Sequence, residues 1–238
     1  YLMKRDVPED ATVVVVAAPE KPLFPEEVES LRAYLRGGGS LVIFLEPFRD
    51  GGLRSFLEDH GIRVSRDVIV DKMSRVMGGD YLLPMAARYG SHEITRDFRL
   101  TSFFELARTV EEVEDTPPHI ETTPLAMTSP ESWAETDLEA LDRGQVSFDP
   151  EEDRNGPLSL AAISEIRPPL KQPADEQGEA DSPPPAEPRG EGKLVVFGDA
   201  DFASNKYFHT SGNADFILNT LNYLAGREDL ITIQKKHR

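Results

Sequence analysis

Three apolar runs constrain this chain more than any other feature: Val13-Val14-Val15-Val16, Leu41-Val42-Ile43-Phe44-Leu45 and Leu194-Val195-Val196-Phe197. A strand with one wet face alternates apolar and polar residues. A run that is apolar at every position belongs where both faces are covered, as in parallel sheets flanked by helices. Between the first two runs lies Pro25-Glu26-Glu27, followed by Val28, Leu31 and Leu35, with Gly37-Gly38-Gly39 closing the segment. Proline and acids in the first turn, helical apolar spacing and terminal glycines predict a helix. The unit is therefore strand, helix, strand, with a right-handed crossover expected. A short helix is expected over residues 53–60, stopped by Gly61, and Val68-Ile69-Val70-Asp71 is expected as a third strand.

Residues 77–99 carry glycines, aromatics and Pro84 without clear period, and read as an excursion over the sheet edge. Residues 101–110 are ambiguous. Ser102 with Glu105 resembles a capping box, whereas Phe104, Leu106 and Val110 fit a period of two; the reading favours a strand. Residues 111–118, acidic and ending in Pro117-Pro118, read as a loop, and residues 158–163 as a short strand. Residues 171–192 hold Pro183-Pro184-Pro185, many acids and almost nothing apolar. Such a segment buries too little to offset its ordering entropy, so a flexible acidic loop is expected. Asn213 is expected to cap a helix through Ile217, Leu218, Leu221 and Leu224, with Asp215, Asn219 and Asn222 on its other side. Leu230-Ile231-Thr232-Ile233 is either a last strand or an exit toward the basic tail Lys235-Lys236-His237-Arg238. Residues 1–238 are thus expected to form a single α/β domain.

Composition excludes several functions. The chain has 43 Asp and Glu against 26 Lys and Arg, a formal net charge of -17, so nucleic acid is not an expected partner. It contains no cysteine, which excludes disulfides, thiolate metal sites and cysteine nucleophiles. No stretch approaches the roughly 20 apolar residues of a membrane span, and no signal peptide is visible. The sequence opens at Tyr1 without an initiator Met and reads as a fragment of a longer protein.

The candidate site residues lie at strand exits, where open α/β sheets bind ligands. Gly198-Asp199-Ala200-Asp201-Phe202-Ala203-Ser204-Asn205 follows the third run, and Glu46-Pro47 follows the second. If those exits are neighbours, Glu46, Asp199 and Asp201 line one acidic crevice, with Ser204 and Asn205 beside it. Two acids spaced Asp-x-Asp can ligate a divalent cation or share a proton. The alternative is that Gly198 makes the turn and the acids bond nearby amides. Haloacid-dehalogenase-type phosphatases also place Asp-x-Asp after an apolar strand, but put Thr or Val where Ala203 stands. His92, in Tyr89-Gly90-Ser91-His92-Glu93-Ile94-Thr95, is a further ligand-binding candidate, although no metal-ligand spacing accompanies it. The glycines at 37–39 end a helix instead of opening one, and no Gly-x-Ser-x-Gly elbow occurs.

Several segments together resemble a known family. They are residues 13–47, the 89–95 cluster, Thr128-Ser129-Pro130-Glu131-Ser132-Trp133, residues 197–205, Gly212-Asn213-Ala214-Asp215-Phe216, Asn222-Tyr223-Leu224-Ala225-Gly226 and Asp229-Leu230-Ile231. The chain is similar to the auxiliary subunit of gliding-motility-type (GldG-type) bacterial ABC transporters. That resemblance implies a three-layer α/β fold with a mostly parallel central sheet, flavodoxin-like or class I glutamine amidotransferase-like. It implies a periplasmic domain anchored by transmembrane helices outside this fragment, with permease and ATPase subunits as partners. The family offers no catalytic residues to carry over, and without cysteine the amidotransferase reaction is closed. The expected function is a non-catalytic extracytoplasmic binding or assembly module, with a glycan or small ligand as possible cargo and no cofactor. Two alternatives remain: a metal-assisted hydrolase using Asp199 and Asp201, and a purely structural scaffold.

Overall fold

The computed structural model describes residues 6–144, 146–168 and 190–231. Its centre is a six-stranded mixed sheet in the order Val14–Ala17, Ser40–Phe44, Gly192–Phe197, Ser159–Ile166, Ile120–Met127 and Arg88–Tyr89. Strand β1 (Val14–Ala17) enters helix α1 (Pro25–Arg36), which returns as β2 (Ser40–Phe44). The Glu27 carboxylate accepts from the Phe24 amide, closing the first turn of α1. The helix α2 (Arg54–Glu58) leads into the short β3 (Ile62–Val64), β4 (Val68–Asp71), α3 (Lys72–Val76) and β5 (Arg88–Tyr89). After β6 (Val110–Glu112) come the long β7 (Ile120–Met127), β8 (Ser132–Glu135), α4 (Leu138–Asp142) and β9 (Arg154–Asn155). The chain ends in β10 (Ser159–Ile166), β11 (Gly192–Phe197) and α5 (Asn213–Leu224).

Half the sheet follows the parallel expectation. β1 pairs with β2, and β2 with β11, in parallel and in register, Val14 with Leu41 and Leu41 with Leu194. The other half departs from it: β10 runs antiparallel to β11, β7 to β10 and β5 to β7. The cause is the link between β10 and β11. Ile166 pairs with Gly192, so β11 starts at the sheet end where β10 stops. A crossover would be needed for a parallel pair. The expected acidic loop at 171–192 falls in that link, and its residues 171–189 lie outside the described residues.

Successive residues of the central strands feed two separate cores, as strand period requires. Val42, Phe44, Val195 and Phe197 pack with Phe216 and Leu224 of α5. Leu41, Ile43, Leu194 and Val196 pack with Leu31 and Leu35 of α1 and Leu57 of α2. Helices thus cover both faces, and each buried aliphatic side chain contributes roughly 1.5–3 kcal/mol. The first valine run is different. It forms the edge strand, so β1 is only partly covered and Val15 is 54% exposed.

Further expectations are corrected. Val68–Asp71 is a strand, but it lies outside the main sheet, antiparallel to β8 in a three-stranded sheet. Residues 101–109 are no strand beyond a single bridge between Met85 and Phe103. Their amides go instead to scattered acceptors: Phe104 to the Pro84 carbonyl, Leu106 to Leu82 and Arg108 to Gly198. The acidic segment after them is not all loop, since Val110–Glu112 pairs with β3. In α5 the cap is Gly212, and Asn213 is buried, gripping the backbone of Phe103 from both its amide nitrogen and oxygen. Asn219 is buried too, donating to the Ile94 carbonyl, because the 77–99 excursion covers that side of the helix; Leu218 is left 45% exposed. Leu230 closes a 3-10 turn, and the basic tail lies outside the described residues.

Candidate functional site

Phe44 and Phe197 are paired in register, and their rings stack 5.0 Å apart. Two residues further along each strand, period two returns the chain to the same face. Those positions are Glu46 and Asp199. The ladder reaches beyond the strand ends, with the Leu45 amide donating to the Phe197 carbonyl at 3.0 Å. Asp201 opens the 3-10 turn Asp201–Ala203. Ligand atoms of Glu46, Asp199 and Asp201 all lie within 4.8 Å of one another. These three residues could hold a divalent cation through carboxylate oxygens.

Gly198 is required at this exit. A Cβ there would stand 2.2 Å from the Arg108 carbonyl oxygen, because the 101–109 segment crosses directly over the strand end. Asp199 ties that crossing down: its Oδ2 accepts from the Glu105 amide at 2.6 Å. Phe104 stacks on Phe202, ring centres 4.5 Å apart. In the same crossing Leu106 adopts φ 50, a left-handed conformation. Such strain costs a non-glycine residue on the order of 1 kcal/mol and persists only where surroundings fix it.

The electrostatics of this end are unfavourable to its own charges. Asp199 is fully buried, and burial pushes its carboxyl well above the ordinary range. The amides of Glu105 and Phe202 pull it partway back, and the Glu46 charge adds to the rise. Glu46 is also raised, first by burial and then by Asp201, against the lowering effect of the Ala200 amide and Arg49.

Other expected residues are placed less centrally. Ser204 follows the 3-10 turn; its carbonyl accepts from Tyr207 and Phe208, and its hydroxyl is buried without a hydrogen-bond partner. Asn205 is exposed. His92 is not part of the cluster. It sits at the opposite end of the sheet, with Nε2 3.8 Å from Glu165 Oε1 and Nδ1 accepting from the Ile94 amide. Glu165 also accepts from the Tyr223 hydroxyl, and Lys193 lies 3.9 Å from the centre of the Tyr223 ring. The His92 imidazole beside it, then the Tyr223 hydrogen bond and the Lys193 charge, outweigh burial and draw the Glu165 carboxyl down to about 2.

Sequence reasoning missed Arg108 altogether. It is 1% exposed, its Nε donates to the Ser65 carbonyl at 2.8 Å and its Nη1 to the Glu46 carbonyl at 3.2 Å. It thereby fixes the backbone under Glu46. Asp67, equally buried, accepts from the Thr109 amide and hydroxyl and from Arg154. No signal in the residues 101–110 distinguishes such an arginine from a surface one.

Residues 3–220 match the model of the auxiliary family described as ABC-type uncharacterized transport system. The chain belongs to that family. Membership makes it an auxiliary component of an ABC-type transport system, with partners in a transporter complex. No curated protein matches the sequence. Among solved structures, the chain is similar to the mmIFT52 N-terminal domain at 16% identity and a TM-score of 0.58, covering 97% of this chain and 81% of that one. At that identity the likeness concerns the fold alone. Among the described residues, no helix of this transport-family chain is long and apolar enough to cross a membrane.

Proposed function

We infer that the chain is a non-catalytic binding or assembly module of its transport system, acting on the extracytoplasmic side. Permease and ATPase subunits are its partners, and the membrane anchors belong to other parts of the parent protein, as in a GldG-type subunit. A flavodoxin-like or class I glutamine amidotransferase-like α/β fold is part of this proposal. The observation that carries it is the way Asp199 is used. In a family of transport auxiliaries, the most buried acid at the strand exits accepts from a backbone amide 94 residues away in sequence and pins a crossing segment. An acid committed to the backbone orders a surface for a partner; it is poorly free to shuttle protons.

The absence of cysteine makes the location directly testable. Asn205→Cys, in a parent protein otherwise stripped of cysteine, is expected to react with a membrane-impermeant maleimide in spheroplasts. Labelling only after lysis would defeat the extracytoplasmic assignment. The tagged parent is also expected to co-purify with an ATPase and a permease, and recovery of the protein alone would defeat the assembly role.

The 4.8 Å grouping of three carboxylates favours one second reading, a divalent-cation-dependent hydrolase. On that reading Mg²⁺, Mn²⁺ or Ca²⁺ raises the unfolding midpoint, because a ligand that binds only the native state stabilises it. Asp201→Asn would abolish the rise. An unchanged midpoint with all three ions would remove the hydrolase.

A further inference from the structure

The edge strand β5 and the segment after it enclose a cleft of about 430 Å³. Arg88, Arg96 and Arg99 line it, with Tyr89, Phe98 and Leu100 supplying apolar surface. In so acidic a chain, surface guanidiniums readily find carboxylates. Arg32, Arg36, Arg54, Arg143, Arg154 and Arg167 each do, whereas Arg63 and Arg66 pair with none among the described residues. Arg88 and Arg99 form no ion pair among the described residues. Arg88 donates to the Met127 sulfur at 3.2 Å. Arg99 donates from Nη1 to the carbonyls of Phe98 at 2.9 Å and Arg96 at 3.3 Å. Neutral acceptors hold these two side chains in place and leave their charge uncompensated. Arg96 pairs with Glu93, and Asp97, the other acid of the segment, is itself engaged.

Two further polar side chains of the cleft are committed. The Thr95 hydroxyl donates to the Gly90 carbonyl at 2.7 Å, and the Tyr89 hydroxyl to the Leu100 carbonyl at 2.9 Å. Beside the Ser91 and Thr101 hydroxyls, the charge the cleft presents is guanidinium N–H, which donates and cannot accept. A complementary ligand must bring acceptors and negative charge. We propose that this cleft binds a phosphate-bearing ligand, its phosphoryl group between Arg88, Arg96 and Arg99 and its organic part against Phe98 and Leu100. The guanidinium fork matches phosphate oxygens two at a time, which a lysine cannot do. The volume falls in the range of small-molecule sites. This site is separate from the strand-exit carboxylates and does not rest on the transporter role.

The test is a calorimetric titration of the 238-residue chain with inorganic phosphate, with phenyl phosphate, and with phosphatidylglycerol vesicles against phosphatidylcholine vesicles. Phenyl phosphate is expected to bind more tightly than inorganic phosphate, and Arg88→Gln with Arg99→Gln to weaken binding at least about tenfold. Both arginines are exposed, so the double variant is expected to keep its unfolding midpoint. Arg63→Gln with Arg66→Gln removes the same charge from another exposed place and should leave binding unchanged. Binding of the free phosphates identifies a soluble ligand, and binding of phosphatidylglycerol vesicles alone identifies a lipid headgroup; either upholds the cleft. No binding of any probe at about 10 mM, or an equal loss in the Arg63/Arg66 variant, would overturn it.

Discussion

Two carboxylates at opposite ends of the sheet meet opposite environments. Asp199, beyond the end of β11, is buried beside Glu46 and Asp201, and its carboxyl is pushed up. Glu165, near the end of β10, faces His92, Tyr223 and Lys193, and its carboxyl is drawn down to about 2. Burial raises both groups; it prevails at the fully buried Asp199, whereas at the half-buried Glu165 the neighbours outweigh it. At the Glu165 end every neighbour donates or carries positive charge, and the acid clasps β10, the excursion and α5 together. At the Asp199 end the amides are opposed by burial and by the Glu46 charge. That end holds unfavourable charge that a proton, a cation or a basic partner group would relieve, and this is the physical difference between a clasp and a candidate site.

The largest expected effect tests whether the strained end depends on the cation beneath it. Arg108→Ala leaves the Ser65 and Glu46 carbonyls without their buried donor and opens a cavity, costing about 3 kcal/mol in urea unfolding. A cost below about 1 kcal/mol would mean the backbone under Glu46 is held by other contacts.

Next comes the clasp. Glu165→Gln is expected to cost about 2 kcal/mol at pH 7, after discounting for the partial solvent screening of a half-buried group. The folded carboxyl titrates near 2 and the unfolded one near 4.5, so its contribution is present above the unfolded value and fades as pH falls toward 2. The difference between variant and parent should therefore shrink below about pH 4.5 and be largely gone only near pH 2. A cost that persists unchanged there would show that shape, not charge, holds the clasp. Tyr223→Phe removes one donor to the same carboxylate and should cost about 1 kcal/mol. An effect larger than that of Glu165→Gln would reverse the assigned hierarchy.

The two ends were not equally legible in the sequence. The apolar runs gave the parallel half, and register followed from them: Glu46 and Asp199 occupy matched positions after matched strands. The crevice could therefore be anticipated from strand period alone. The clasp could not. Glu165 belongs to an antiparallel strand, and its partners come from residue 92 in the excursion and residue 223 in the last helix. Each of those contacts depends on a fold-back that local pattern does not encode. Residues 101–109 failed for a related reason: their backbone bonds go to Asp199, Asn213 and loop carbonyls, so neither helical nor strand periodicity governs them. His92 was singled out with the crevice because a histidine draws attention wherever it stands; its position is set by α5 and β10.

The smallest expected effect separates the ends most sharply, because its sign is opposite to that of Glu165→Gln. Asp199→Asn keeps an oxygen for the Glu105 amide and removes the charge that burial opposes. The folded carboxyl of Asp199 titrates above its ordinary value of 3.8, so the native state holds its proton more firmly than the unfolded chain does. The benefit is complete below the unfolded value and is lost as pH rises through the folded one. Asparagine has nothing to lose over that interval. The variant should match the parent within about 1 kcal/mol at pH 4 and gain on it as pH rises above that, followed by thermal unfolding with and without a chelator. A variant less stable than the parent at pH 8 would mean that the charged form of Asp199 is favoured by a partner. If the chelator is then what restores the predicted order, that partner is a cation held with Glu46 and Asp201, and the strained end is a metal site instead of a docking surface.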